Sequence, residues 1–258
     1  MAVPASHVTI ATSVLGTKDH WDATYAAELN AYRADGTPGE EWFDDRLPAG
    51  RLTAFLRRLL PPPPTAVTVV DVGCGSGGVL IVLAKELAER SPPPRLVGVD
   101  YASDAVALAT AVAAAAAVRG DGGVTPTFSV VDVLAPGALQ AVVAGGGGSC
   151  FTLVHDKGTL DAFLLRSDAA AAVDAYLAGL RDSTQPGDVL AVTSCNLSRA
   201  ELISTVVGKS EGEGEEEGGS GGELGERRWR LVDELPYRVM RFGGRQGAVL
   251  VTLAFVRQ

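Results

Sequence analysis

The sequence predicts a doubly wound α/β fold with a mostly parallel, seven-stranded sheet that ends in a C-terminal antiparallel hairpin. Apolar segments of strand length alternate with helical stretches from residue 67 to residue 207. Strands that are apolar throughout are typical of a parallel sheet covered on both faces. The last two apolar segments, 228–237 and 247–256, are separated by too few residues for a crossover helix, so they are expected to pair antiparallel.

Two helices are predicted before the sheet begins. Residues 18–33 place Trp21, Tyr25 and Leu29 at four-residue steps on one face. The amphipathic stretch 51–60 is followed by four prolines, which cannot continue a helix. The strands predicted next are 67–73, 95–100, 127–133, 150–156 and 188–195. The helical segments that follow them in turn are 78–90, 105–118, a short one near 135–143, 167–183 and 199–207.

The 258 residues are sufficient for a domain with a sizeable buried core. We expect residues 1–60 to form a helical cap and residues 61–258 to form the main body of the same domain. The segment 209–226 is expected to be a disordered insertion, because glycines and glutamates cannot bury a core. Seven glutamates lie in 210–226, and outside it 24 acidic residues face 22 basic ones. The formal charge of −9 thus falls to −2, without the basic excess that nucleic-acid binding requires.

Cysteine usage and the N-terminal sequence indicate a cytoplasmic protein. Three widely separated cysteines suit a reducing compartment. The N-terminus has neither the basic start nor the apolar core of a signal peptide. No run reaches the ~18 apolar residues of a membrane helix, so no membrane partner is expected. The three histidines lack ligand spacing, so no metal site is expected.

A glycine-rich turn, DVGCGSG (71–77), joins the first predicted strand to its helix. Glycines there permit positive φ and let the backbone approach a ligand, and open parallel sheets bind ligands at this edge. The spacing Gly73-x-Gly75-x-x-Gly78 also matches the dinucleotide fingerprint, with Asp100 near the position of its ribose-binding acid. Two ligand classes therefore compete for this turn.

Three features favour S-adenosylmethionine over a dinucleotide. Asp71, two residues before the first glycine, would repel a pyrophosphate but suits a ligand with a positive amino or sulfonium group. Asp132 ends the third strand, where it can hold an adenine amino group. The terminal antiparallel pair is foreign to the common dehydrogenase arrangement. Glycines with acids at three successive strand ends thus predict a cleft for S-adenosylmethionine.

Four segments resemble, in order, the successive motifs of class I S-adenosylmethionine-dependent methyltransferases: 71–77, 98–106, 130–134 and 185–194. This resemblance implies S-adenosylmethionine as the cofactor. The residues that it implies around the methionine portion are Asp71, Gly73, Gly75 and Gly77. Those that it implies around the nucleoside are Asp100 at the ribose hydroxyls, Tyr101 along the adenine, and Asp132 with Val133 at the base.

The segment HDKGTLDAF (155–163) carries a narrower resemblance. Together with 15–29, 39–43, 193–196 and 241–247, it is similar to the protein-lysine methyltransferases that modify elongation factor 1-alpha. The resemblance implies a protein-lysine N-methyltransferase with elongation factor 1-alpha as its protein partner. We expect the enzyme to be a monomer. Two alternatives stay open: a methyltransferase that acts on a small metabolite, and a non-catalytic binding module that retains the cofactor pocket.

Two groups of residues have two interpretations each. Asp156 is interpreted either as a catalytic acceptor that orients the substrate amine or as a residue that only caps a turn or supports cofactor contacts. Trp21, Tyr25, Trp42 and Phe43 are interpreted either as core packing of the leading helices or as a lid over the cofactor and the lysine channel. The lid interpretation makes Trp42 a cofactor contact.

Overall fold

The computed structural model describes residues 10–39, 42–43, 49–120, 123–208, 229–237, 240–242, 245–247 and 250–258. The strands in these ranges are β1 (Thr68–Val72), β2 (Arg95–Asp100), β3 (Thr127–Val130), β4 (Leu153–Lys157), β5 (Val189–Ser194), β6 (Trp229–Leu235), β7 (Met240–Phe242), β8 (Arg245–Gly247) and β9 (Val251–Arg257). The helices are α1 (Lys18–Asp35), α2 (Ala49–Leu59), α3 (Gly78–Glu86), α4 (Ser103–Val118), α5 (Ala138–Gly145), α6 (Thr159–Leu164), α7 (Ala169–Asp182) and α8 (Arg199–Val207), preceded by a 3-10 turn at Val14–Gly16.

Seven strands form one sheet in the order β3-β2-β1-β4-β5-β9-β6. The pairs among β1 to β5 are parallel, and β9 runs antiparallel to both of its neighbours, β5 and β6. The predicted fold class, with its antiparallel C-terminal pair, is therefore confirmed. The structure adds a small separate hairpin, β7–β8, within the segment that was expected only to connect β6 and β9.

Helices cover both faces of the sheet, and each face has its own apolar core. One core joins Val70 and Val72 of β1 to side chains of α5, α6, α7 and α8. The other joins Val69 of β1 and Leu153 of β4 to α2 and α3. Successive side chains of a strand point to opposite faces, so adjacent residues at a strand end enter different environments. This alternation decides below which acidic residues reach the functional site.

The N-terminal helices occupy two different places. Helix α1 packs against the alanine-rich α4, and the Tyr32 hydroxyl donates to the Ala111 carbonyl at 3.3 Å. Helix α2 packs against α3 and buries Leu52, Phe55 and Leu56 in the second core. The segment expected as one cap thus contains one helix at the edge of the α4 layer and one that covers the sheet. The expected insertion at 209–226 lies outside the described residues.

Most helices lie where the sequence predicts them. For example, α8 begins at a capping box, in which the Ser198 hydroxyl accepts from the Glu201 N–H and the Glu201 carboxylate accepts from the Ser198 N–H. The six-residue α6 was not predicted, and it contributes to the functional site. Within the ranges given above, none of the helices has both the length and the apolar character needed to span a membrane.

Candidate active site

A cavity lies at the carboxyl edge of the sheet, where β1, β2 and β4 end. Its wall is formed by the turns after β1 to β5, by α1, by α6, and by Trp42 and Phe43. The predicted site residues in this wall are Asp71, Gly73, Gly75, Asp100, Tyr101, Asp132, Val133 and Trp42. Two other predicted residues, Gly77 and Asp156, are not part of the wall.

The glycine turn after β1 is packed tightly on both sides. Gly73 and Gly75 have φ values of 67° and 52°, which side chains other than glycine rarely adopt. An added Cβ would lie 1.9 Å from Thr159 Oγ1 at Gly73 and 2.5 Å from the Tyr25 hydroxyl oxygen at Gly75. The glycines are therefore needed both for the turn and for the approach of α6 and α1. Gly77 instead caps the start of α3, away from the cavity wall.

The acids at the ends of β1 and β2 are both buried and both line the cavity. Asp71 is bonded to the neighbouring strand, with its Oδ1 2.7 Å from His155 Nδ1. Asp100 accepts hydrogen bonds from the Gly75 N–H at 3.1 Å and the Ala102 N–H at 3.0 Å, so it ties the glycine turn to β2. Burial raises the pKa of the Asp100 carboxyl, and these two N–H donors oppose that shift.

The residues predicted around an adenine lie together on one side of the cavity. Tyr101 follows β2, with Lys18 Nζ 5.1 Å from its ring centroid, and burial raises the pKa of its phenol. Asp132 is exposed, and its Oδ1 accepts from the Leu134 N–H at 3.0 Å, which fixes the turn after β3. Val133 is buried beside it. An aromatic ring, a carboxylate and an apolar side chain are therefore available to a planar base.

Aromatic side chains from the N-terminal region form the opposite side. The Trp21 ring centroid lies 6.1 Å from that of Tyr25 and 5.2 Å from that of Trp42, and Trp42 lies 6.0 Å from Phe43. The ammonium of Lys157, the last residue of β4, donates to the Trp42 carbonyl at 2.8 Å, which ties this aromatic group to the edge of the sheet. Trp42 is 38% exposed. These contacts favour a cover over the cavity rather than core packing for Trp42.

Asp156 lies on the face of β4 that points away from the cavity. Its carboxylate is fully buried and accepts from the Thr159 N–H at 2.9 Å, the Leu160 N–H at 3.1 Å and the Tyr176 hydroxyl at 2.7 Å. Burial raises the pKa of Asp156 to about 7, while the hydrogen bonds from the Tyr176 hydroxyl and the Leu160 N–H act in the opposite direction. The contacts favour the second interpretation of this residue, a cap that holds the start of α6.

The acid of this segment that lines the cavity is Asp161, which sequence reasoning did not single out. It is 5% exposed and accepts from the Ser194 hydroxyl at 2.5 Å and the Cys195 N–H at 2.8 Å, both at the end of β5. A carboxylate oxygen can accept more than one hydrogen bond, so Asp161 retains capacity for a further donor. The signal for it was present, because Asp161 belongs to the segment HDKGTLDAF.

The wall fits S-adenosylmethionine. Bare backbone at Gly73 and Gly75 lies beside two buried carboxylates, Asp71 and Asp100, which suits a ligand that carries a positive amino group and ribose hydroxyls. A pyrophosphate would face the Asp71 carboxylate instead. The arrangement can therefore hold a sulfonium nucleoside on one side and admit a cationic or amine substrate past Asp161 and the aromatic residues.

Comparisons with known proteins agree with this geometry. Residues 65–227 match the family model described as a methyltransferase domain. EEF1A lysine methyltransferase 2 of Homo sapiens is 30% identical over 94% of this chain and 86% of its own length. Protein-lysine N-methyltransferase EFM4 of Saccharomyces cerevisiae is 29% identical over 96% of this chain and 97% of its own length.

Among structures, the rRNA methyltransferase aviRa of Streptomyces viridochromogenes has a TM-score of 0.50 at 19% identity, over 82% of this chain and 85% of its own. That likeness shows the fold alone. The match to the methyltransferase domain and the alignments over nearly the whole chain show more. The chain belongs to the class I S-adenosylmethionine-dependent methyltransferases, in the family that contains EEF1A lysine methyltransferase 2 and EFM4.

Proposed function

We propose that this methyltransferase transfers a methyl group from S-adenosylmethionine to the side-chain amine of a lysine in elongation factor 1-alpha. The observation that carries the proposal is the near-complete alignment with relatives whose names specify EEF1A lysine or protein-lysine methylation. The cavity supports it, because a lysine side chain is narrow, apolar along its stem and positive at its tip. Aromatic residues and the Asp161 carboxylate in the wall match that shape and charge.

The predicted roles toward the cofactor remain proposals. Asp71 and the backbone at Gly73 and Gly75 would hold the amino-acid portion, with Gly77 supporting the turn from outside the wall. Asp100 would accept from the ribose hydroxyls. Tyr101, Asp132 and Val133 would contact the adenine, and Trp42 would cover the site. S-adenosylmethionine, when bound, supplies a methyl group on a positively charged sulfur.

Lysine must present a neutral amine, because the ammonium, with a reference pKa of about 10.4, has no lone pair to attack the methyl carbon. The aromatic wall excludes water and so disfavours the charged form of the incoming amine. Asp161 would then accept a hydrogen bond from an N–H of the amine, and this contact would point the lone pair of the amine nitrogen into the cavity. Its own position is fixed by Ser194 and the Cys195 N–H, so orientation rather than a strong base supplies the rate.

Asp156 has an indirect part in this proposal. By accepting from the Thr159 and Leu160 N–H groups it fixes the first turn of α6, and α6 carries Asp161. Thr159 in turn donates its hydroxyl proton to the Val72 carbonyl at 2.8 Å, which joins α6 to the end of β1. Both halves of the site are thus tied together beneath the cavity.

The direct test is methylation of purified elongation factor 1-alpha taken from cells that lack this activity. The full chain, S-adenosylmethionine and the factor are incubated together, and mass spectrometry locates the added mass. We expect added methyl groups on lysine. A second incubation uses a whole lysate and labelled S-adenosylmethionine. Label found only in the small-molecule fraction would contradict the proposal and favour a metabolite methyltransferase. Cofactor binding without any labelled protein would contradict it and favour a non-catalytic binding module.

We further propose that the enzyme acts as a monomer in the cytoplasm and does not use nucleic acid as substrate. The sparse, widely spaced cysteines support the cytoplasmic location, and the small net charge outside 210–226 supports the third part. Light scattering of the purified chain and fractionation of cells test the first two parts. Unchanged activity after nuclease treatment tests the third.

A further inference from the structure

A buried histidine pairs with the carboxylate at the end of β1. His155 Nδ1 lies 2.7 Å from Asp71 Oδ1, and the two residues are 0% and 3% exposed. They occupy directly paired positions of the parallel strands β1 and β4, so their side chains project from the same face of the sheet. Asp71 lines the cavity, whereas His155 lies behind it and is not part of the wall.

The residues paired with Asp71 and His155 in the outer neighbouring strands are small. Asp71 is paired with Gly98 of β2, and His155 is paired with Ala191 of β5. Ala191 is followed in the same row by Ala254 of β9. Gly98 carries no side chain toward Asp71, and Ala191 carries only a methyl group beside the imidazole. Among the described residues, the hydrogen-bonding partner of the imidazole is Asp71.

The contacts identify the proton that joins the pair. An ionised carboxylate only accepts, so His155 Nδ1 must carry the hydrogen and donate it to Asp71. Within the described part of the chain, the buried Nε2 has no hydrogen-bond partner. A charged imidazolium would place a second N–H there without an acceptor, at the full penalty of an unpaired buried donor. A neutral ring with hydrogen on Nδ1 donates to Asp71 and leaves no unpaired N–H at Nε2.

We propose that His155 is a positioning residue that fixes the Asp71 carboxylate for the positive amino group of the methyl donor. A neutral imidazole holds one carboxylate oxygen and leaves the full negative charge in the cavity wall. A lysine or arginine at this place would hold the oxygen but cancel that charge. The inference rests on S-adenosylmethionine as donor and on the proposed role of Asp71, and it is independent of which protein carries the substrate lysine.

The test compares two ligands and two variants by calorimetry on the full chain. S-adenosylhomocysteine carries the amino-acid portion, and methylthioadenosine is the same nucleoside without it. For His155→Leu we expect about tenfold weaker binding of S-adenosylhomocysteine, the size of one lost charge-assisted hydrogen bond, with methylthioadenosine binding unchanged. For His155→Asn, whose amide nitrogen can replace Nδ1 as donor, we expect most of the affinity to return. An equal loss for both ligands, or no loss for either, overturns the proposal.

A double-mutant cycle and a measurement on the unaltered protein cover the case in which His155→Leu does not fold. The cycle uses His155→Phe, which keeps a flat ring but removes the donor: it should weaken S-adenosylhomocysteine binding in the wild type and have little further effect once Asp71→Asn has removed the charged acceptor. Nitrogen NMR of the wild-type imidazole should show hydrogen on Nδ1 and none on Nε2. Hydrogen on Nε2, whether alone or together with hydrogen on Nδ1, overturns the proposal. Methylation of elongation factor 1-alpha is not measured in any of these experiments, so their failure is distinct from failure of the proposed substrate.

Discussion

Two parts of the sheet's carboxyl edge use acidic residues in different ways: the part where β1 and β2 end, called here the β2 edge, and the part where β4 ends, called here the β4 edge. At the ends of β1 and β2, Asp71 and Asp100 follow apolar strands directly, and both line the cavity. At the end of β4, the corresponding acid, Asp156, faces the opposite core and bonds Tyr176, while the acid that lines the cavity is Asp161 in α6. An acidic residue at a strand end therefore indicates which edge of the sheet carries the cavity. The alternation of side chains along the strand decides whether that residue lines the cavity.

The largest expected effect separates the two acids of the β4 edge. Asp161→Asn keeps the shape of the side chain but removes the charge that we propose orients the amine. We expect kcat on elongation factor 1-alpha to fall about a hundredfold, the usual loss for one oriented electrostatic group, with little change in S-adenosylhomocysteine affinity. Methyl transfer under single-turnover conditions and calorimetry measure the two quantities.

A matched control for that substitution is Asp182→Asn, the same chemical change at an exposed position in the last turn of α7. It should leave both quantities unchanged. If Asp161→Asn retained full turnover, the assignment of the amine-orienting acid to α6 would be wrong.

A smaller effect is expected at the β2 edge. Asp100→Asn replaces one of the two acceptor oxygens with an NH2 group, so either the Gly75 N–H or the Ala102 N–H loses its acceptor. We expect S-adenosylhomocysteine and methylthioadenosine to bind more weakly by about tenfold or more, since the loss concerns charged hydrogen bonds. Both ligands carry the ribose, so calorimetry should show similar losses for the two, unlike the split expected for His155→Leu. A loss confined to S-adenosylhomocysteine would contradict the ribose assignment.

The β4 edge should also have its own dependence on pH. Because burial raises the pKa of Asp156 from 3.8 to about 7, the folded protein binds a proton between these pH values that the unfolded chain releases. The stabilisation of the folded protein by the protonated Asp156 carboxyl is fully present below about pH 4 and is lost as pH rises toward 7. The free energy of unfolding of the wild type, relative to Asp156→Asn, should therefore fall across this window, by at most about 1.4 kcal/mol per pH unit.

Urea unfolding of both proteins at a series of pH values measures this difference. Tyr176→Phe serves as a second variant, because it removes a donor to the ionised carboxylate. It should move the upper end of the window to higher pH. A difference that stays constant from pH 4 to 7 would show that Asp156 is ionised throughout.

The contrast between the two edges also explains what the sequence could predict. The glycine turn and the acids after β1 and β2 are local patterns of a few residues, and their position in the fold follows from the order of strands. The role of Asp161 depends on α6, a six-residue helix whose start requires Gly158 at a φ of 88° and the Asp156 cap. Such a short helix has no periodicity that a sequence shows.

The His155–Asp71 pair illustrates a different limit. Its members are 84 positions apart in the chain, and only the register between β1 and β4 brings them face to face. Sequence reasoning treated His155 as one of three scattered histidines. The hairpin β7–β8 was missed for a related reason, because its short strands lie in a segment that reads as a connection. Local sequence therefore indicates the edge of the sheet, and pairing between strands completes the site.

The smallest expected effect concerns the aromatic cover that bridges the two edges. Trp42 lines the cavity and is joined to Lys157 of the β4 edge through its carbonyl, yet it is 38% exposed. In Trp42→Ala the backbone contact remains and only the ring is lost. We expect about threefold to fivefold weaker S-adenosylhomocysteine binding, the scale of one partly exposed aromatic contact. Stability should change by no more than about 0.5 kcal/mol, as for an ordinary surface substitution.

Calorimetry and thermal unfolding of the same Trp42→Ala sample separate the two interpretations of the aromatic group. The matched comparison is Trp229→Ala, which removes a 2% exposed indole from the core and should lower the free energy of unfolding by about 3–5 kcal/mol. A Trp42 variant that behaved like the Trp229 variant, with lost stability and unchanged affinity per folded molecule, would assign the ring to core packing. Weakened affinity at unchanged stability instead makes the N-terminal region part of the site, because α1 and the edge of the sheet then enclose the ligand jointly.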